Sequence, residues 1–131
     1  PSSIVFRSPY LGTLSANQFA PNSTANAFGA GNQYKNNGIA NKFSQYGNRF
    51  SNKSFTNPYA TNAPKLYDSQ GNYRGRLSAN RYDPDSISNP YGKYGNRFSP
   101  DSINNPFGAG NPFNPSSPTN PFGTGLKIYG Q

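Results

Sequence analysis

The side chains that could take part in chemistry are four aspartates, together with the tyrosines, lysines, arginines and serines. The chain has no Glu, His, Cys, Met or Trp. Without His or Cys, the usual general bases, thiolate nucleophiles and soft-metal ligands are missing. No motif in the sequence pairs a nucleophile with a general base as a catalytic site would require. We therefore expect a protein that is not an enzyme, with no catalytic residue and no cofactor.

The aspartates follow the same spacing as the surrounding sequence. Asp83 lies beside Asp85, and Asp101 follows Asp85 by one 16-residue period, which would give a ladder of calcium ligands if the units stacked. Calcium needs six to eight oxygens, and the equivalent places elsewhere hold Asn22, Lys53 and Ser116. Capping of a short turn explains the aspartates better. We expect Asp101 to accept hydrogen bonds from backbone N–H groups, and no metal site.

The cations stand beside aromatic residues. Arg49, Arg81 and Arg97 each directly precede a ring, and the net charge is +8. Such a chain could contact polyanions or glycans by stacking and charge. Alternatively, the arginines cover ring faces or keep the repeat soluble. The basic residues are spread along the chain and no RNA-binding motif is present, which argues against nucleic acid.

The element that must position these side chains is a tandem repeat. Six pairs of aromatics stand nine residues apart, and an Asn lies two residues before the first ring of each pair. Within each group of three pairs, the units are 15 or 16 residues long. We expect the rings to stack and to supply most of the apolar contact, and we assign them to packing and assembly: Phe19 and Phe28, Tyr34 and Phe43, Phe50 and Tyr59, Tyr82 and Tyr91, Phe98 and Phe107, Phe113 and Phe122.

Each unit has the residue preferences of short turns. Ser99 followed by Pro100 suits the start of a single capped turn, and residues 105–108 (Asn-Pro-Phe-Gly) suit a β-turn. Residues 89–92 repeat that turn. Because Pro recurs in most units, none can hold a long helix or a central strand. The predicted fold is an irregular β/turn-rich repeat array with little helix.

The repeat array divides into two pseudo-equivalent modules of three units, residues 1–63 and residues 64–131. Residues 10–17 match residues 73–80. An apolar triplet precedes each module, at residues 4–6 and 65–67, and a third triplet lies at residues 127–129. Residues 65–67 and 73–77 form the best hairpin candidate. We add Ile4, Phe6, Ile128 and Tyr129 to the predicted packing residues.

Composition favours order through assembly. The chain has 14 Gly, 13 Pro and a high positive charge, which is typical of disordered segments. Burial against other chains would then supply part of the stability. No run of about 18 apolar residues exists, so no membrane-spanning segment is expected.

Several motifs carry a resemblance. They are the Asn-Pro-Tyr/Phe-Gly units, Asp-Pro-Asp-Ser at residues 83–86, Ser-Pro-Asp-Ser at residues 99–102, and Tyr-Asp-Ser-Gln-Gly-Asn-Tyr-Arg-Gly at residues 67–75. In these motifs the chain resembles a group of small exported bacterial tandem-repeat proteins of unknown function. The first module departs from the pattern, since Phe28 and Phe43 lack the preceding Pro. The resemblance implies export and supplies no activity or ligand.

Together these features predict a non-catalytic structural subunit of an exported fibre, sheath or matrix, ordered by assembly and self-associating into a homopolymer or with other chains. The alternative is a surface or periplasmic binding module for polyanions or polysaccharide. The expected location is extracellular or at the cell surface, with the periplasm as the alternative. We further expect residues 126–131 to pack near residues 1–14 of a neighbouring copy. The competing expectation is that the last triplet pairs within its own chain, against residues 65–77.

Overall fold

A computed structural model describes residues 9–130. These residues contain four short strands and no helix. The strands are β1 (Tyr10–Leu14), β2 (Lys65–Tyr67), β3 (Tyr73–Arg76) and β4 (Leu126–Tyr129). They form one antiparallel sheet in the order β1-β4-β2-β3. The expectation of a β-rich chain with little helix is confirmed for the described residues.

The predicted hairpin is formed by β2 and β3. Lys65 pairs with Arg76 and Tyr67 pairs with Tyr73. The connecting loop is fixed by Asp68, whose side-chain Oδ1 accepts hydrogen bonds from the N–H groups of Gln70 and Asn72. Such local bonds from Asp are typical of tight turns. The hairpin prediction is confirmed.

The last strand, β4, lies inside the sheet and has a partner on both sides. It pairs with β1 through Tyr129 and Tyr10, and with β2 through Ile128 and Leu66. An edge that is already paired within the chain does not recruit a strand from another copy. The prediction that residues 126–131 pack near residues 1–14 of a neighbour is therefore wrong. The competing expectation of pairing within the chain is confirmed.

The first apolar triplet, at residues 4–6, cannot be compared with the other two. Ile4 and Phe6 lie outside the described residues, so their assignment to packing stays a prediction. Ile128 is fully buried in the chain's own core.

The two strand pairs at the sheet edges share one register. Tyr10 faces Tyr129 as Tyr73 faces Tyr67, and Thr13 faces Lys127 as Arg76 faces Lys65. Each edge strand contains a bulge and one glycine with positive φ, +118° at Gly12 and +95° at Gly75. Only glycine adopts such a backbone easily.

The outer edges of the sheet are covered by the chain itself. Thr13 forms a parallel bridge with Ser23, and Arg76 forms the equivalent bridge with Ser86. The amide of Thr13 donates to the carbonyl of Asn22 at 2.7 Å, and Arg76 donates to Asp85 at the same distance. Backbone groups at these two edge positions are thus satisfied.

The apolar core is small and lies on one face of the sheet. Leu66 and Ile128 are fully buried at its centre. Around them pack five further buried residues, Leu11, Ile39, Tyr46, Leu77 and Leu126. Side chains alternate between the two faces of a strand, so Tyr129 projects to the other face.

On that other face, five tyrosines form a row across all four strands. Successive ring centroids lie 5.5–5.7 Å apart, within the range of favourable aromatic pairs. Tyr129 therefore packs within its own chain. The row runs through Tyr10, Tyr129, Tyr67, Tyr73 and Tyr94.

Outside the sheet, the backbone is a succession of turns with a three-residue step. Along residues 20–60 and 83–123, the N–H of about every third residue donates to the carbonyl three residues earlier, and each turn begins where the previous one ends. Most of the shared residues are buried or half-buried, whereas most of the residues between them are exposed. Ile39 and Tyr46 are exceptions, because they lie between shared residues and are buried in the core. The β-turns predicted at residues 89–92 and 105–108 belong to this succession and are confirmed.

Candidate functional site

The twelve aromatics of the repeat form the candidate site because they are all on the surface. Their exposed fractions range from 79% for Phe98 to 95% for Phe28. The expectation that these rings stack along the chain and supply most of its apolar contact is therefore wrong. The buried apolar contacts come from the sheet residues instead. Assembly through the rings stays a prediction.

All twelve rings are held in the same local conformation. The backbone N–H of each aromatic donates to the side-chain Oδ1 of the Asn two residues earlier, at 2.8–3.0 Å. The rings are Phe19, Phe28, Tyr34, Phe43, Phe50, Tyr59, Tyr82, Tyr91, Phe98, Phe107, Phe113 and Phe122. This is an Asx-turn, which Asn forms readily. It places the following ring at the outer corner of a turn.

The three-residue step explains the nine-residue spacing of the rings. Phe98 is the third residue of turn 96–99, and Phe107 is the third residue of turn 105–108. Nine residues correspond to three turns, so both rings of a pair occupy the same corner position. The spacing reflects shared exposure rather than a shared core.

The units of 16 residues accommodate their extra residue at a glycine. In the first such unit, the carbonyl of Ser44 accepts from both Gly47 and Asn48. In the second, the carbonyl of Gly92 accepts from both Gly95 and Asn96. A four-residue step at these two points restores the ring to its outer corner.

Sequence reasoning missed the residues that face inward, which include a row of serines. Ser23, Ser54, Ser86, Ser102 and Ser117 are each fully buried. Each hydroxyl accepts a hydrogen bond from the N–H two residues later. The signal was present in the sequence, because each serine lies four residues after the first ring of its unit; Gly38 takes this place in the remaining unit.

In each unit, the Asn that lies two residues before the second ring joins two turns together, and we call it the clamping Asn. Asn105 accepts from Phe107 through Oδ1 and donates through Nδ2 to the carbonyl of Ser99 at 3.0 Å. The same Nδ2 bond to the carbonyl six residues earlier recurs at Asn26, Asn41, Asn57, Asn89 and Asn120. Asp lacks this donor, which explains the amide at these positions.

Cations lie against some of the exposed rings. The guanidinium carbon of Arg49 is 5.6 Å from the centroid of Phe50, and that of Arg97 is 5.3 Å from Phe98. At these distances the positive charge is attracted electrostatically to the face of the ring. Within residues 9–130, no corresponding contact joins Arg81 to Tyr82. Two of the three predicted arginine–ring neighbours therefore touch.

Shallow grooves lie between the last ring of one unit and the first ring of the next. Ala27, Phe28 and Tyr34 contribute to one groove. Lys42, Phe43, Arg49 and Phe50 contribute to a second, with a volume of about 560 Å³. Each groove thus has two aromatic walls, and the second also has two cations.

The aspartates take part in ion pairs in the second half of the chain. Arg74 contacts Asp68 and Asp101, each at 3.1 Å, and Lys93 lies 3.7 Å from Asp101. The prediction that the Asp101 carboxylate accepts from backbone N–H groups is therefore wrong, because Arg74 reaches it from β3. Asp68 and Asp83 do accept such bonds. In residues 9–130, no three acidic side chains converge as a metal site would require.

Two ionisable groups beside this network have displaced pKa values. Burial of Asp68 raises the pKa of its carboxyl, but hydrogen bonds from Asn72, Arg74 and Gln70 outweigh burial, and the net pKa is lowered. Burial, together with a hydrogen bond to Asp85, raises the pKa of Tyr73 well above its usual value. Both groups keep their neutral-pH charge state, so neither suggests acid–base chemistry.

Membrane-spanning helices and similarity to known proteins give two further findings. No helix within residues 9–130 is long and apolar enough to cross a membrane. Comparison of the chain with protein-family models, curated proteins and solved structures gives no match.

Proposed function

We propose that the chain is a non-catalytic structural subunit of an exported fibre, sheath or matrix, whose order is reinforced by assembly. The observation that carries this proposal is the exposure of all twelve repeat rings. Monomeric soluble proteins rarely leave so much aromatic surface uncovered without a partner. Extracellular or cell-surface placement, with the periplasm as the alternative, belongs to the same proposal.

Association occurs through the rings rather than by strand addition. The central strands are paired on both sides, and bridges at Thr13 and Arg76 cover the outer edges. The rings are the largest apolar groups that remain uncovered. Association between copies buries them and gains about 25 cal/mol per Å² of apolar surface.

Two modules of three units, residues 1–63 and 64–131, give the subunit its regular surface. The shared register of the strand pairs supports this division. So do the matched bridges, Thr13 with Ser23 and Arg76 with Ser86. In this arrangement each module presents six rings at corresponding positions.

Sedimentation velocity tests the proposal directly. Because the chain carries a net charge of +8, copies repel one another at low ionic strength. Raising the ionic strength from about 0.01 to 0.15 M shortens the Debye length from about 30 to 8 Å. We expect assemblies that grow with protein concentration and with salt.

A paired variant separates assembly from folding. Replacing Phe107 and Phe122 by Ser removes two rings that are 94% and 83% exposed. We expect weaker association and a melting temperature changed by less than about 2 °C, since exposed substitutions have small effects on stability. A protein that stays monomeric at every concentration and salt would contradict the proposal.

A further inference from the structure

The groove between Phe43 and Phe50 has the features of a ligand site. Its two rings are 93% and 84% exposed, and Lys42 and Arg49 also line it. Asn48 and Thr56 add polar groups to the wall. A concave surface with apolar walls and a few polar groups is the usual form of a binding site.

The charge around this groove has one sign. The sequence contains no acidic residue before Asp68, and within residues 9–130 neither Lys42 nor Arg49 takes part in an ion pair. The two cations are therefore available to an anionic ligand. A second copy of this chain would bring further positive charge to the groove, so like charges oppose it as the occupant.

The position of Arg49 restricts the class of anionic ligand that fits the groove. Its guanidinium lies over the ring of Phe50, at 5.6 Å from the centroid. The cation of Arg49 and the stacking surface of Phe50 therefore lie side by side. They fit a ligand that carries its charge on the same ring that stacks, as a carboxylated sugar does. In a nucleotide, by contrast, the sugar separates the charged phosphate from the stacking base.

We propose that the groove formed by Lys42, Phe43, Arg49 and Phe50 binds a linear polysaccharide of carboxylated hexose units. The sugar ring packs on the face of Phe50 that Arg49 leaves uncovered. Its carboxylate extends past the ring edge and accepts paired hydrogen bonds from the Arg49 guanidinium, a geometry that arginine suits. Lys42 interacts with the carboxylate of a neighbouring unit. This binding is separate from association between copies and does not require it.

Binding of polygalacturonate to the 131-residue chain tests the proposal. The measurement is isothermal titration calorimetry at about 0.15 M salt, where long-range charge effects are screened. Its methyl-esterified form keeps the sugar rings and removes the charge, so it is the matched ligand control. We expect polygalacturonate to bind at least about tenfold more tightly than the ester.

Variants test the two halves of the interaction. Arg49→Gln and Phe50→Ala are each expected to weaken binding about tenfold, the scale of one charged or stacking contact. Phe113→Ala is the ring control, because Phe113 has an equivalent Asx-turn but follows Pro112 instead of a cation. We expect that variant to bind within about twofold of the unchanged protein.

The remaining outcomes contradict the proposal. Equal affinity for poly-glutamate would indicate simple attraction between opposite charges, and tighter binding of a single-stranded oligonucleotide would assign the groove to nucleic acid. Absence of polygalacturonate binding, or equal losses in Phe50→Ala and Phe113→Ala, would also overturn it. Sedimentation of the same samples keeps the test distinct, because a monomer that binds polygalacturonate supports this site while contradicting assembly.

Discussion

The first half of the described chain (residues 9–63) and the second half (residues 64–130) share a backbone arrangement but differ in charge. Both contain consecutive turns, clamping Asn residues and buried serines. The first half has four cations and no acid, whereas the second has seven cations and all four aspartates. Its ion pairs join Arg74, Arg76 and Lys93 to aspartates.

This difference shows that the turn succession does not depend on charge. Neutral groups supply its hydrogen bonds, namely backbone amides, Asn side chains and serine hydroxyls. The fold therefore allows one half to pair three of its seven cations with aspartates, while the cations of the other half have no acidic residue beside them. We regard the unpaired cations of the first half as the feature available for ligands.

The largest expected effect tests whether the two halves share one backbone. A Cβ added at Gly75 would lie 2.7 Å from Tyr94 and 2.8 Å from the carbonyl of Asp85, and one at Gly12 would lie 2.7 Å from the carbonyl of Asn22. Both glycines also have positive φ. We expect Gly12→Ala and Gly75→Ala each to lower the free energy of unfolding by roughly 2–4 kcal/mol.

Denaturant unfolding followed by tyrosine fluorescence measures this loss. Gly71→Ala is the control, because Gly71 has a φ of +84° but open space around it. That variant should lose only about 1 kcal/mol, the cost of the backbone conformation alone. A much smaller loss at Gly12 than at Gly75 would show that the first half tolerates a different backbone.

A smaller effect tests the clamping Asn residues. Asn105→Asp and Asn41→Asp keep the acceptor for the following ring but remove the Nδ2 donor to Ser99 and Lys35, respectively. We expect Asn105→Asp to lower the free energy of unfolding by about 1–2 kcal/mol, since a half-buried carbonyl loses its partner. Asn41→Asp should lower it by about 0.5–1 kcal/mol, because its bond to Lys35 is exposed to solvent.

Matched controls come from the first Asn of the same units. Asn96 and Asn32 make the Asx-turn bond to Phe98 and Tyr34, so Asn96→Asp and Asn32→Asp keep that bond. These variants should change the free energy of unfolding by less than about 0.5 kcal/mol. Using both halves separates the lost donor from the added charge, because the first half contains only cations whereas the second contains both cations and aspartates. Equal losses in all four variants would disprove the clamp.

The smallest expected effect is a loss of stability at low pH, which depends on the aspartates of the second half. The lowered pKa of Asp68 means that the folded chain binds its proton less readily than the unfolded chain. Its contribution to stability is therefore complete above the unfolded pKa of about 4 and is lost as the pH falls through the lower, folded value. We expect the melting temperature to decrease as the pH is lowered below about 4.

Thermal melts between about pH 7 and pH 2 measure this dependence. Asp68→Asn should be less stable at neutral pH and show a flatter acid response. Asp101→Asn should alter the response less, because the Asp101 carboxylate is 35% exposed in its ion pairs. An unchanged acid response in Asp68→Asn would assign the pH dependence to other groups.

Sequence patterns located several elements correctly. The apolar triplets at residues 65–67 and 127–129 correspond to β2 and to most of β4. Asn-Pro-Phe-Gly correctly predicted the turn at residues 105–108. These predictions worked because they depended on local residue preferences, which act within a few positions.

The exposure of the rings could not be predicted from local residue preferences. A regular aromatic spacing normally suggests a core, but here it follows the outer corners of three-residue turns. Fully buried serines such as Ser86 and Ser102 occupy the inward-facing positions of these turns. Similarly, charge alone did not reveal that Arg74 would reach Asp101, 27 residues away.

The three-residue step also sets a rule for changes in chain length. An insertion of three residues adds one turn and returns every later serine to the interior and every later ring to the surface. An insertion of one residue would move serines outward and rings inward, unless a four-residue step like those at Gly47 and Gly95 absorbs it. Repeats of this kind can thus lengthen in threes, much as a coding sequence tolerates insertions that keep its reading frame.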